Sequence, residues 1–255
     1  MPRARREGRQ GMTTSGSYDF TGYQVLVVGG TRGEGHTIAS SFAECGASVT
    51  VTGTMILRSL YESDLSAFDY ESVNLARQES IDHLAGTVNH IDVLVLAASC
   101  NLPYGLPPGE RAFVAEATRS GLLGPTFLTT RLRLKLGQSP ALGGGCVVNT
   151  GAVTSWLQLA ATPEAAQREL VESTARAGDN WAGLGVRVNS VLQAQRSVLP
   201  RQYAPGSTAS GGSRAAGGTM VRTAQPRVGD AVADATLFLA SSAAARITGQ
   251  TLRIS

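Results

Sequence analysis

Three glycines close to one another give the first indication of chemistry in this chain of 255 residues. Gly29, Gly33 and Gly35 stand in the segment from Gln24 to His36, QVLVVGGTRGEGH, directly after an apolar run. Glycines between a strand and a helix allow a tight turn whose backbone N–H groups can approach a phosphate. The spacing therefore predicts a dinucleotide site at the start of a helix.

The residues around this turn favour NADP over NAD as the nucleotide. An acidic residue at the end of the second strand commonly holds the ribose hydroxyls of NAD, but Gly53 and Thr54 are not acidic. Arg32 lies within the turn itself. If NADP is bound, the expected binding residues are Gly29, Arg32, Gly33, Gly35 and Thr54.

Glu34, inside the same turn, argues against that ligand. A carboxylate about 4 Å from a pyrophosphate would be repelled by roughly 4 kcal/mol at an effective dielectric constant of about 20. Glu34 can instead face water as an acid at a helix N-terminus, or it can take the place of the phosphate. The sequence thus favours a protein without a cofactor, with NADP(H) as the alternative.

In a parallel sheet of this kind, the ligand crevice lies outside the carboxyl ends of the strands. Acid, amide and hydroxyl side chains predicted near it supply candidate catalytic groups. Glu164 and Gln167 open a predicted helix, Ser155 follows the fifth strand, Asn101 follows the fourth, and Glu116 lies on a long helix. A carboxyl group whose pKa is raised in an apolar pocket can act as a general acid or base. Glutamates on helices are also typical of solvated faces, and both interpretations stay open.

A parallel sheet would bring these groups together at one edge. Apolar strands and amphipathic helices alternate along the chain, which predicts an α/β fold: a doubly wound parallel sheet of the Rossmann type in a single domain. The domain is expected over residues 20–255, after a disordered basic tail at 1–19, with a mobile loop at 204–226. Strands are predicted at 24–28, 47–52, 91–97, 145–150 and 186–192, and helices at 34–45, 110–136 and 163–182, with a short strand and a helix within 70–90 and a helix and a strand at the end.

Composition excludes several classes of protein. The net charge is +3, and four arginines in the first ten residues account for it, so nucleic acid is not an expected partner. Three cysteines, at spacings that fit neither a disulfide framework nor a metal site, indicate a reducing environment. No apolar run is long enough to span a membrane. We expect a cytoplasmic protein with no metal and no membrane partner.

The chain resembles the short-chain dehydrogenase/reductase family over residues 20–255. The matching segments are VGGTRGEG, IDVLVLAAS, GLLGPTFLTTRL, GGCVVNTGA, GVRVNSV and ATLFLASSAAARITGQTLRIS. Members of that family typically transfer hydride with NAD(P) and use an Asn, Ser, Tyr and Lys tetrad. The resemblance also implies a homodimer or homotetramer, built on the long helices and the last strand.

The tetrad positions are occupied by other residues here. Counting from the matching segments places the Tyr-x-x-x-Lys pair at Pro163 and Gln167, the Ser at Ala152 or Gly151, and the Asn at Gly121. No tyrosine occurs between residues 104 and 203, and the only lysine in the chain is Lys135, so no shift of alignment restores the pair.

Three hypotheses follow from this departure. The principal one is an enzyme that has lost hydride transfer and catalyses a non-redox cyclisation, isomerisation or dehydration of a small hydrophobic metabolite bearing a carbonyl group, in bacterial secondary metabolism. The first alternative is an atypical NADP-dependent oxidoreductase with replacement catalytic groups. The second is a non-catalytic subunit or ligand-binding protein.

Overall fold

The computed structural model describes residues 18–98, 119–150, 163–193 and 228–254. Residues 1–17 of the tail predicted at 1–19, and the predicted loop at 204–226, lie outside these residues. Tyr18 and Asp19 are described, and the ring of Tyr18 lies beside that of Phe20. Among the described helices, none combines the length and the apolar composition needed to cross a bilayer.

In the described part of the chain, seven parallel strands form one sheet in the order β3-β2-β1-β4-β5-β6-β7. The order changes direction between β1 and β4, where Val25 pairs with Val93. The strands are β1 Gln24–Val28, β2 Ser48–Gly53, β3 Asp69–Ser72, β4 Val93–Leu96, β5 Gly145–Thr150, β6 Val186–Gln193 and β7 Thr251–Ile254.

Helices cover both faces of the sheet, as the alternating sequence pattern predicts. They are α1 Gly33–Glu44, α2 Gln78–Thr87, α3 Gly124–Gly137, α4 Pro163–Ala182 and α5 Val228–Ala240. The helices α1 and α5 bury Ile38, Phe42 and Leu237 against one face. The helices α2, α3 and α4 cover the other, where Leu128 and Leu132 are fully buried. The doubly wound parallel sheet in a single domain is confirmed.

The described part of the predicted helix at 110–136 is helical from its first residue, but it is not regular throughout. Residues Arg119–Leu123 form a π-helical turn, and the regular helix α3 starts at Gly124. A Cβ atom on Gly124 would lie 2.1 Å from the carbonyl oxygen of Leu75, so only glycine permits this close approach. Residues 110–118 lie outside the described part of the chain.

Two buried polar residues fix the end of the sheet opposite the crevice. Asp92 accepts a hydrogen bond from the Gln24 N–H at 2.8 Å and another from the Ser139 hydroxyl. Arg187 is 5% exposed, and its guanidinium donates to the backbone carbonyls of Gly143, Leu239, Ala240 and Ala244. The carbonyls of Leu239 and Ala240, which would otherwise lack donors at the C-terminal end of α5, thus help to compensate the burial of this cation.

Candidate functional site

The glycine turn between β1 and α1 is tightly folded against its neighbours. Gly29 has a φ of +86°, and a Cβ atom there would lie 2.5 Å from the Cα of Ala98. A Cβ atom on Gly35 would lie 2.3 Å from the carbonyl oxygen of Gly29. Both glycines are required by close backbone approach, so the turn has the conformation that its sequence predicts.

The start of α1 has the properties of a phosphate-binding site. Gly33 has a φ of +57°, and the space that its side chain would fill is open. Arg32 precedes the helix with an exposed side chain that does not cap it. The N–H groups of the first turn have no partners within the helix, and they carry the positive end of its dipole. This cradle fits the pyrophosphate of a dinucleotide.

A tyrosine shapes the neighbouring end of β2, where the adenosine half of a dinucleotide is expected. The Tyr61 hydroxyl accepts a hydrogen bond from the N–H of Met55 at 3.0 Å. A Cβ atom on residue 53 would lie 2.2 Å from that hydroxyl, so Gly53 leaves room for it. Burial raises the pKa of Tyr61, but hydrogen bonds with Met55, Tyr70 and Thr54 outweigh burial and lower it overall. Thr54 is therefore tied to this loop.

Glu34 points in a direction that the sequence does not predict. The residue is half-buried in the first turn of α1. Burial raises the pKa of this carboxyl group, and the hydrogen bond with Thr150 acts in the opposite direction. Of the alternatives that the sequence leaves open, a carboxyl group wholly in water does not describe this half-buried residue.

The Thr150 hydroxyl has two candidate acceptors, the carbonyl oxygen of Leu96 and the Glu34 carboxyl group. Its oxygen lies 3.4 Å from the carbonyl oxygen of Leu96, which is long for a hydrogen bond between oxygens, and Thr150 itself is 1% exposed. Because a hydroxyl carries one proton, a carboxylate at Glu34 is the stronger acceptor of the two. The pair of Glu34 and Thr150 was missed from sequence, since 116 positions separate them and no spacing rule relates them.

The structure places only part of the predicted catalytic set. Gln167 is half-buried in the second turn of α4, and Glu164 lies in the first turn of that helix. Three candidates lie outside the described residues, namely Ser155, Asn101 and Glu116. Whether any of these five residues acts on a substrate stays a prediction.

Lys135, the only lysine of the chain, is engaged far from the glycine turn. Its ammonium group donates to the carbonyl oxygen of Ala85 at 2.7 Å and to that of Val88. These carbonyls belong to the C-terminal end of α2, where a cation is favourable. Lys135 therefore joins α3 to α2 and does not replace the family's lysine.

A separate cavity of about 370 Å³ lies beneath α3 and α4. Its polar lining includes Thr129, Asn149 and Thr174, and neither Glu34 nor any residue of the glycine turn borders it. Asn149 and Thr174 are both within hydrogen-bonding range of the Ser190 hydroxyl. Among the described residues, the cavity therefore shares no lining with the glycine turn, and it reaches the strand ends at Leu96 and Asn149.

Comparison with known proteins finds relatives that are named as reductases and dehydrogenases. The family described as enoyl-(acyl carrier protein) reductase matches residues 28–255. D-threitol dehydrogenase of Mycolicibacterium smegmatis is 30% identical over 261 residues, covering 96% of each chain. The 3-oxoacyl-(acyl-carrier-protein) reductase of Vibrio cholerae is 27% identical over 249 residues, covering 92% of this chain and 97% of the other.

A solved structure supports the same fold. The Pseudomonas aeruginosa RhlG/NADP active-site complex is 17% identical and covers 93% of this chain and 96% of its own, with a TM-score of 0.67. At that identity the likeness shows the fold alone, and NADP is a property of that complex.

These comparisons correct the principal functional hypothesis. A non-redox cyclase, isomerase or dehydratase is contradicted, because the relatives are named as a dehydrogenase and a reductase. The general prediction of an enzyme is supported, and the oxidoreductase alternative fits the relatives better. The expectation of no cofactor, and the interpretation of the active site as degenerate, are likewise not supported.

Proposed function

The chain belongs to the short-chain dehydrogenase/reductase family, and from that premise we propose that it is an NADP(H)-dependent oxidoreductase. Its proposed substrate is a small hydrophobic metabolite in which a carbonyl group and an alcohol interconvert. The observation that carries the proposal is the glycine turn, where close backbone contacts at Gly29 and Gly35 preserve a cradle for a pyrophosphate.

The charges around the cradle support NADP(H) in particular. Neither Gly53 nor Thr54 offers a carboxylate for the ribose hydroxyls of NAD. Arg32 is exposed beside the first turn of α1, and a guanidinium group matches the geometry of a phosphate. We therefore infer that Arg32 contacts the 2′-phosphate, while the N–H groups at the start of α1 hold the pyrophosphate.

Because other residues occupy the tetrad positions, a different group must polarise the oxygen of the substrate. A bound nicotinamide nucleotide supplies the hydride, and the protein must place the carbonyl group, exclude water and manage one proton. Pro163 has no proton to give, and Gln167 can offer only an amide hydrogen bond. The proposed enzyme therefore uses other donors, for which Ser155, Asn101, Glu116, Glu164 and Gln167 are the sequence-based candidates.

Nucleotide binding tests this function most directly. NADPH and NADH are titrated into the full chain and followed by nucleotide fluorescence, with NADPH expected to bind more tightly. The variant Arg32→Met should lower the NADPH affinity by about tenfold or more, because one charge-assisted hydrogen bond is lost, and it should leave the NADH affinity unchanged.

A matched control is Arg133→Met, since Arg133 is an exposed arginine on α3. Absence of NADPH binding up to about 1 mM, an affinity of only about 4 kcal/mol, would contradict the proposed function. Equal losses in the Arg32 and Arg133 variants would contradict the role given to Arg32.

A further inference from the structure

The end of β2 is closed by a side chain that comes from farther along the chain. A Cβ atom on Gly53 would lie 2.2 Å from the hydroxyl oxygen of Tyr61 and 2.8 Å from Cγ2 of Thr31, which belongs to the glycine turn. Gly53 continues the strand and does not have a positive φ, so a side chain there would cause no backbone strain. Lack of space, and not the backbone conformation, therefore requires glycine at this position.

The distance from Gly53 to the Tyr61 hydroxyl is close to the span of an aspartate side chain. In an aspartate, each carboxylate oxygen lies about 2.4 Å from its own Cβ, because one C–C bond and one C–O bond separate them. In sheets of this kind, an acidic side chain at the end of the second strand holds the ribose hydroxyls of NAD. Here a phenol hydroxyl stands beside that position, at the distance of the missing carboxylate oxygen.

Tyr61 is held in place by its own contacts. Its hydroxyl accepts a hydrogen bond from the N–H of Met55 at 3.0 Å. Its half-buried ring lies 5.9 Å from that of Tyr70, centre to centre, with the ring planes inclined at 58°. The Tyr70 hydroxyl in turn donates to the carbonyl oxygen of Met55. Both polar backbone groups of Met55 are thus bonded to tyrosines, which fixes the start of the loop after β2.

A phenol and a carboxylate differ in what they offer a ligand. A carboxylate only accepts hydrogen bonds and carries a negative charge, so it binds the hydroxyls of a ribose and repels a phosphate. A phenol is neutral and has one proton to donate. Because the Tyr61 hydroxyl is the acceptor in its bond with Met55, that bond leaves its proton for another acceptor. A phosphate oxygen is a strong one.

We propose that Tyr61 makes the nucleotide site specific for a 2′-phosphate, with its hydroxyl in the place of the ribose-binding carboxylate and its proton donated to the phosphate. This inference rests on the proposed function, since it requires NADP(H) with its adenosine at the end of β2. It adds to Arg32 a neutral donor, which approaches the phosphate from the loop after β2.

That loop offers few other groups that could bind a phosphate. Its only basic residue is Arg58, whose guanidinium donates to the carbonyl oxygen of Phe68 at 3.3 Å. Its acids, Glu62 and Asp64, would repel a phosphate. The Tyr61 hydroxyl is the polar group of this loop that stands next to the end of β2.

Two pairs of nucleotides test the role of Tyr61. NADPH and NADH are titrated into the full chain, and adenosine 2′,5′-bisphosphate and adenosine 5′-monophosphate are used to probe the adenosine half alone. Tyr61→Phe removes only the hydroxyl. It should weaken NADPH and the bisphosphate by about tenfold, because one hydrogen bond to a charged group is lost, and it should change NADH and the monophosphate by less than about threefold. Tyr23→Phe is the control, because Tyr23 precedes β1 at the opposite end of the sheet, and it should change none of the four affinities.

A second pair of variants tests whether the Tyr61 hydroxyl occupies the place of a carboxylate. Gly53→Asp alone should lower the melting temperature and weaken both NADPH and NADH, because Tyr61 blocks the new side chain. Adding Tyr61→Leu removes the hydroxyl and gives the carboxylate room. The double variant should recover part of the lost melting temperature and bind NADH more tightly than NADPH, since its carboxylate accepts from the ribose and repels the phosphate.

The outcomes separate this inference from the function on which it rests. If NADPH binds but Tyr61→Phe leaves its affinity unchanged, or weakens NADPH and NADH by the same factor, the role of Tyr61 is overturned and the proposed function stands. A preference for NADH in Gly53→Asp with Tyr61 in place would also overturn that role. Failure of both NADPH and NADH to bind the unmodified protein would overturn the proposed function and this inference together. Circular dichroism confirms that each variant is folded before titration.

Discussion

At the scale of single residues, Glu34 is the feature with the most consequences. Partial burial removes water from the Glu34 carboxylate, and the hydrogen bond with Thr150 does not fully compensate for the lost hydration. Its cost to the fold therefore depends on its charge, and that dependence can be measured without any nucleotide.

We predict that Glu34→Gln raises the melting temperature at pH 7 and that the gain disappears near pH 4. The ordinary pKa of the group is 4.5, and burial raises it in the folded protein. Below the unfolded value the acid is neutral in both states. As the pH rises through the folded value, ionisation favours the unfolded chain, so stability is lost. Thermal unfolding at several pH values measures the difference.

Glu44→Gln serves as the reference, because Glu44 is exposed at the other end of α1. An equal pH dependence in both variants would show that Glu34 is solvated, against its position in the structure.

The direction of the Glu34 side chain could not be predicted from sequence. The spacing of Gly29, Gly33 and Gly35 predicts the turn, because glycine is required wherever backbones approach closely. A residue at the start of a helix, however, can face solvent, a ligand or the sheet. The choice depends on Thr150, whose position relative to Glu34 is set only when β1, β4 and β5 pair.

At the scale of elements, the glycine turn gives a prediction with an internal control. Gly35→Ala should destabilise the protein by about 2 kcal/mol or more, because the new Cβ meets the Gly29 carbonyl oxygen and the backbone must move. Gly86→Ala should stabilise it by about 0.5–1 kcal/mol, since Gly86 is exposed in α2 with no atom within 4 Å of the new Cβ.

Chemical denaturation measures both changes in the free energy of unfolding. Opposite signs are expected from the same substitution at two helical glycines. A neutral effect of Gly35→Ala would mean that the turn is looser than the distances indicate.

Most strands and helices could be located from the sequence. Apolar runs bounded by glycine or proline predict β1, β5 and the helix from Pro163, and these bounds agree with the structure. The π-helical turn at Arg119–Leu123 was not predicted, because it continues the helical pattern of apolar residues that leads into α3.

At the scale of the whole molecule, the outer face of α3 bears on assembly. Phe127 and Leu134 are 51% and 61% exposed, and seven residues apart they lie on one side of the helix. We propose that a second copy of the chain covers this face, in keeping with the homodimer or homotetramer expected from the sequence.

Replacing both Phe127 and Leu134 by serine should then shift the protein to a smaller species in size-exclusion chromatography with light scattering. Leu142→Ser is the control, because Leu142 is 72% exposed in the turn before β5 rather than on α3. An unmodified protein that is monomeric at all concentrations tested would contradict the proposed assembly.

The order of the strands has a consequence for biosynthesis. Ser190 of β6 pairs with Thr251 of β7, and the two strands are separated by the whole of α5. While the chain is being translated, β6 is thus complete well before its outer partner leaves the ribosome, and its unpaired edge can join other strands. Parallel pairings between distant segments also form slowly. The nascent chain should therefore depend on chaperones most strongly during the interval between synthesis of residue 193 and synthesis of residue 251.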